Sequence, residues 1–208
     1  MSAARPERSE PGARGRGRFV VYVEGPRDRD ILRGWAFRVS PALGEALAAA
    51  AVILGGRRPG RAIEHFEGVR RFAEGSRALC VLDRDDEPDA SAEGAAGLEF
   101  FTWSRRHIES YLLVPDAIRR AIRARPDDPR VGRVLDRHLP HPDDEAALRS
   151  IDAKKLLSAQ GALAKAFGRP VAPGRLAREM HAGEHHDDIR ALFDRMRHAL
   201  RELGELRP

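Results

Sequence analysis

The chain has 208 residues, with 42% hydrophobic and 33% charged side chains, and carries a net charge of +5 with a pI near 10.1. That is enough apolar material for one core, and no apolar run approaches the roughly 20 residues that cross a bilayer, so no membrane-spanning helix is expected. The positive balance fits a polyanionic partner, although 34 of the 37 basic residues are arginine, which reflects an arginine-rich composition as much as a binding surface.

Residues 1–17 are rich in Arg, Gly, Pro, Ser and Glu, lack apolar periodicity, and are expected to form a disordered basic tail. No hydrophobic leader opens the chain, and the single cysteine, Cys80, excludes an internal disulfide. Both features predict a cytoplasmic protein, with Cys80 acting as a small buried hydrophobe. Residues 18–23 are β-branched and aromatic and predict a strand that ends at Glu24-Gly25. Gly25-Pro26 marks a turn into a helix over 28–38, with Ile31, Leu32, Trp35 and Phe37 at its apolar positions.

A helix over 41–50 follows, then a strand over 51–54 stopped by Gly55-Gly56, and a helix over 61–74 closed by Gly75. The run 78–82 reads as a buried strand, 87–97 as a polar loop and 98–103 as a fourth strand. This alternation predicts an α/β core over 18–125, a Rossmann-like, mostly parallel sheet flanked by helices. Its last segments are helical at 106–113 and 116–125. Residues 126–142 read as a Pro- and Asp-rich connection. Helical segments over 143–168, with a break near Asp152, then 173–181 and 187–203, make 126–208 a helical C-terminal part that packs on or completes the core. Asp187 or Asp188 is expected to cap the last helix.

Carboxylates gather at the predicted strand ends. Glu24 ends the first strand, and Asp83 and Asp85 end the third. The two aspartates are two residues apart, so in an extended chain they point to one side, about 7 Å apart. Two such anions repel unless a cation or a proton lies between them, and Mg²⁺ is the economical candidate. Strand ends are also where open α/β sheets bind ligands. Asp86 and Glu87 read as loop acids. Asp28 stands on the first turn of the first helix, where it also suits an N-cap. Glu109 lies in the next helical element, where pairing with Arg105 or Arg106 is the alternative to a ligand role. His181, His185 and His186 have a spacing seen in zinc sites, but no cysteine accompanies them and a loop before the last helix is the simpler reading.

Val23-Glu24-Gly25-Pro26-Arg27-Asp28, followed by Asp83-Arg84-Asp85, resembles the Toprim domain. Arg106-His107-Ile108-Glu109-Ser110-Tyr111-Leu112-Leu113 resembles the Ile-Glu-Asn-Tyr-Leu-Leu element of OLD (overcoming lysogenisation defect) nucleases and their standalone relatives. Ala153-Lys154-Lys155-Leu156-Leu157 is similar to their Gly-Lys-x-Leu-Leu segment. Ser110 stands where Asn is usual, and Ala153 where Gly is usual. The resemblance spans about residues 18–203 and implies a metal-dependent nuclease. Glu24, Asp28, Asp83, Asp85 and Glu109 would then hold two Mg²⁺ or Mn²⁺ ions. Glu24, Asp83, Asp85 and Lys154 would be catalytic, with Lys155 as the alternative lysine. The substrate implied is nucleic acid, DNA in preference to RNA, in phage defence or DNA repair. No Gly-x-x-x-x-Gly-Lys-[Ser/Thr] loop is present, so an ATPase or targeting function would come from a partner protein. The competing reading is a non-catalytic Toprim module that binds nucleic acid or a partner.

Overall fold

β1 (Phe19–Val23) is buried along its whole length. A strand covered on both faces needs apolar residues at every position, which is why Phe-Val-Val-Tyr-Val shows no alternation. β2 (Ala51–Ile53), β3 (Arg77–Leu82) and β4 (Leu98–Thr102) join it in a four-stranded sheet of order β2-β1-β3-β4, with every pairing parallel. The structure, a computed structural model, describes residues 16–84 and 95–206. The tail predicted over 1–17 therefore lies outside the described residues except for Arg16 and Gly17.

The two faces of the sheet bury different partners. Val20, Tyr22, Ala78, Cys80 and Leu82 pack with Phe66 of α3 (Pro59–Phe72) on one side. Val21, Val23, Leu79 and Val81 face α1 (Pro26–Val39) and α2 (Pro41–Ala50) on the other. Parallel strands require crossovers, and these keep one hand. The chain therefore moves from β1 to β2 over one face and returns to β3 over the other. The strand order reverses between β1 and β3, and the carboxyl ends of these two strands border a crevice.

Beyond β4 come a 3-10 turn (Ile108–Leu112) and seven helices: α4 (Pro115–Ala121), α5 (Pro129–His138), α6 (Glu145–Ser150), α7 (Ala153–Leu156), α8 (Ala162–Phe167), α9 (Pro173–Glu179) and α10 (Asp187–Glu202). Their buried residues, including Leu135, Leu163, Leu176 and Phe193, belong to the same apolar cluster as Val21 and Val81. One core thus runs from the sheet into the C-terminal helices. α9 lies across α1, where Gly34 and Gly174 let the backbones approach. A Cβ on Gly34 would sit 2.8 Å from Ala177 Cβ and 2.9 Å from the Gly174 carbonyl oxygen. No helix among the described residues is long and apolar enough to cross a membrane.

Several boundaries differ from the sequence expectation. α5 lies inside the stretch read as a connection. Asp128 caps it by accepting from the Arg130 and Val131 amides, Pro129 fits its first turn, and Val131 and Leu135 anchor it. The predicted helix over 143–168 is three short helices. Asp152 caps α7 at the expected break, and a second break falls before Gly161, where a Cβ would meet the Leu156 carbonyl oxygen at 2.3 Å. α10 is capped by His186, whose ring accepts from the Asp188 amide, while Asp187 and Asp188, the expected caps, lie in its first turn. The segment 106–113 forms no α-helix; only Ile108–Leu112 within it is helical, as the 3-10 turn.

Gly34→Ala should destabilise the fold by about 1–3 kcal/mol, because the added methyl has nowhere to go between two packed helices. A denaturant titration would show a lower midpoint. An unchanged midpoint would mean that the α1–α9 contact is looser than described.

Candidate functional site

Asp83 is the residue at which β3 leaves the sheet, and it is only 3% exposed. Its backbone amide donates to Glu24 Oε1 at 2.9 Å, which ties the ends of β3 and β1 together. Its carboxylate has two partners. Oδ1 accepts from the Ile108 amide at 2.8 Å, and Oδ2 accepts from Lys154 Nζ at 2.6 Å. The backbone amide comes from the start of the 3-10 turn and the ammonium from α7. Glu109, the next residue in that turn, is 0% exposed. Its Oε1 pairs with Arg27 at 3.3 Å, and its Oε2 is buried with no hydrogen-bond partner among the described residues. Asp28 sits one turn into α1 and accepts from the Gly25 amide at 2.7 Å.

The structure therefore brings Glu24, Asp28, Asp83, Glu109 and Lys154 into one cluster drawn from β1, α1, β3, the 3-10 turn and α7. Asp85 lies outside the described residues, as do Asp86 and Glu87. Lys154 reaches Asp83, while Lys155 is exposed and its amide bonds the Asp152 cap. Asp28 serves α1 as well, but Gly25 is the N-cap residue; the aspartate reaches back to it from the third helical position.

The electrostatics are those of crowded anions. Burial, and then the charges of Asp83 and Glu109, push the Asp28 carboxyl up to about 7. Burial also raises the Glu109 carboxyl, and the Asp83 charge adds to the effect. For Lys154, burial alone would lower the ammonium pKa. The hydrogen bond to Asp83 and the charges of Asp83, Glu109 and Asp28 together outweigh it, so the group is held above its usual range.

Two basic residues of the cluster were not singled out from the sequence. Arg27 neutralises Glu109 from a half-exposed position. Arg57 donates to the Asp83 carbonyl oxygen, and the Gly55 and Gly56 amides before it both donate to the Glu24 carbonyl oxygen. Arg57 was findable in principle, because it follows the predicted second strand at the same edge of the sheet as Glu24 and Asp83. The expected alternative partner of Glu109, Arg105, instead binds Glu145 at 2.7 Å and the Ser110 carbonyl oxygen at 3.0 Å. Tyr111, buried in the core, also carries polar contacts. Its hydroxyl donates to Asp188 and accepts from the Arg105 amide at 3.0 Å, and Ser104 Oγ donates to the same Asp188 oxygen at 2.5 Å. This network fixes the 3-10 turn, and with it the Ile108 amide and Glu109.

The donors are all carboxylate oxygens, which suit a hard divalent cation. An orphaned Glu109 oxygen and a protonation-prone Asp28 are the groups that such a charge would relieve. Among the described residues, however, no three His, Cys, Asp or Glu side chains are grouped closely enough to enclose an ion, and Lys154 already holds one oxygen of Asp83. The donor chemistry fits Mg²⁺ or Mn²⁺ held by Asp83, Asp28 and Glu109, but no ready-made cage is present among those residues.

The crowding has a pH signature. Folded Asp28 keeps its proton up to about pH 7, whereas the unfolded chain releases it near 3.8. Between those values the folded state binds more protons, so stability falls as pH rises through that window. Asp28→Asn should flatten this fall and raise the melting temperature above pH 7, as followed by thermal denaturation across the pH range. An unchanged pH slope would place Asp28 in solvent. Comparison with family models, curated proteins and solved structures gave no match to this chain.

Proposed function

We propose that the chain is an OLD-like Toprim nuclease that hydrolyses phosphodiesters of nucleic acid, DNA in preference to RNA, with Mg²⁺ or Mn²⁺. One observation carries the reading. Glu24, Asp28, Asp83, Glu109 and Lys154 meet at the carboxyl ends of β1 and β3, the crevice in which parallel sheets bind ligands. The motif order along the sequence supports the same reading. Asp28, Asp83 and Glu109 would hold the metal, with Asp85 from the same sequence motif. A bound divalent ion would supply Lewis-acid stabilisation of the phosphoryl oxygens and a more acidic water.

The chain's own groups would do the rest. The Lys154 ammonium, held firmly protonated, offsets the extra negative charge that develops on the phosphoryl group. Asp28, whose carboxyl is pushed up by burial and by the neighbouring anions, would be ionised by a bound cation and so serve as one of its ligands. Glu24 holds the Asp83 backbone and so fixes the carboxylate that anchors the site. Arg27 is 49% exposed on its side chain, which leaves its remaining N–H groups available to an incoming phosphate.

A second reading, a non-catalytic module that binds nucleic acid or a partner protein, draws on a different observation. Lys154 and Arg27 already neutralise Asp83 and Glu109 without any metal. Cleavage of supercoiled plasmid and labelled oligonucleotides separates the two. With Mg²⁺ or Mn²⁺ the wild type should cut, Asp83→Ala and Glu24→Ala should lose activity, and Lys154→Met should lose about 10²–10³ in kcat. Metal-dependent cutting that survives in Asp83→Ala would refute the site. Binding without cutting under either ion would favour the second reading.

A further inference from the structure

α5 takes no part in the acidic cluster. Its inner face, Val131 and Leu135, is buried in the core. Its outer face carries Arg130, Arg133 and Arg137, all exposed. Spacings of three and four put these three on one stripe. Exposed Arg123 and Arg125 precede the helix on the turn from α4. No side chain of these five forms a hydrogen bond or ion pair among the described residues. Other surface arginines do pair, as in Arg29–Asp30, Arg77–Glu202, Arg190–Asp187 and Arg197–Asp194, at 2.6–3.0 Å. Residues 119–138 contain seven arginines against three aspartates, and one of those, Asp128, is committed to capping α5. Like charges at i and i+4 weaken a helix, so the stripe exists against a local cost.

The turn adds an independent sign. Arg123 has φ +54°, the only positive φ outside glycine among the described residues. Its amide and that of Ala124 close α4 on the carbonyls of Arg120 and Arg119 at 3.0 Å each, the helix-ending geometry that normally selects glycine. A long cationic side chain is thus kept where the backbone favours none.

We propose that this arginine stripe is a phosphate-backbone contact surface for duplex nucleic acid. From Arg130 to Arg137 the helix rises about 10 Å, which matches roughly three phosphate steps along one strand. The apolar face of α5 is buried in the core, so the helix cannot lay that face into a bilayer. α5 packs on α8, α8 on α7, and α7 carries Lys154. At most two helix spacings, about 20 Å, separate the α5 and α7 axes, a span of no more than roughly six base pairs. The choice of nucleic acid rests on the reading of the acidic cluster given above; the charge argument does not.

The test is binding of labelled duplexes of about 30 base pairs to the full chain, by fluorescence anisotropy in EDTA across a salt series. Two triple variants remove the same charge: Arg130→Gln/Arg133→Gln/Arg137→Gln on the stripe, and Arg29→Gln/Arg190→Gln/Arg197→Gln at paired sites. The stripe variant should bind at least about tenfold more weakly, with a log Kd–log salt slope smaller by about 2–3, while the paired-site variant stays near wild type. Arg123→Gly should raise the melting temperature and still weaken binding, a combination that a purely structural residue would not give. Duplex DNA and duplex RNA run in parallel; tighter RNA binding that the stripe variant loses keeps the surface and assigns it to RNA. Equal weakening by both triples, or unchanged binding by the stripe variant, would overturn the proposal. So would a wild type that ignores both duplexes but sediments with phosphatidylserine vesicles. Stripe-dependent binding by a chain that cleaves nothing with Mg²⁺ or Mn²⁺ would refute the nuclease reading and leave this surface standing.

Discussion

Asp83 is a buried carboxylate at the end of a buried strand, and its contact with Lys154 at 2.6 Å organises everything around it. A charge in that position is tolerated only with a partner and with its remaining lone pairs engaged. The chain meets both demands from distant segments. The ammonium comes from α7, and the second hydrogen bond comes from the Ile108 amide at the start of the 3-10 turn. Lys154 is 38% exposed, so water shares in stabilising the pair and the lysine retains room to move. The C-terminal helices are thus bound to the sheet by an electrostatic contact at the crevice as well as by the shared apolar core.

Topology supplies the convergence. Crossovers on opposite faces of a parallel sheet reverse the strand order between β1 and β3, so Glu24 and Asp83 become neighbours although 59 positions separate them. The Tyr111–Asp188–Ser104 network then holds the 3-10 turn against the N-terminus of α10. That arrangement buries Glu109 beside the two strand-end acids, and the crowding raises Asp28 and Glu109 together. The resulting site has a specific imbalance: crowded carboxylates, partly neutralised by Lys154 and Arg27, with one Glu109 oxygen lacking a hydrogen-bond partner among the described residues. Such an imbalance is what a mobile cation or a substrate phosphate can resolve, and it gives the site its chemical interest.

Much of this was legible in the sequence because the signals were strong and local. The all-apolar runs before Glu24 and Asp83 predicted buried parallel strands, and the strands formed within a residue or two of the expected ends. Asp152 was visible as a break and serves as a cap. Other features depended on tertiary context. α5 was hidden by its Pro- and Asp-rich flanks, which were read as a linker but are its capping residues. The cap of α10 falls on His186, and Asp188 instead meets Tyr111 and Ser104, far away in sequence. The roles of Arg27 and Arg57 required knowing which acids they would meet. In a chain with so many arginines, nothing local distinguishes a guanidinium that closes a site from one that faces solvent.

The central claim is that the Asp83 cluster accepts a divalent cation in place of some of its internal neutralisation. The most direct measurement is an anomalous difference map from crystals of the full chain grown with saturating Mn²⁺. A peak is expected in the crevice between β1 and β3, contacted by Asp83 and by Glu109 Oε2, with the Lys154 ammonium drawn away from Asp83. A crevice with no peak, and with Lys154 still on Asp83, would contradict it.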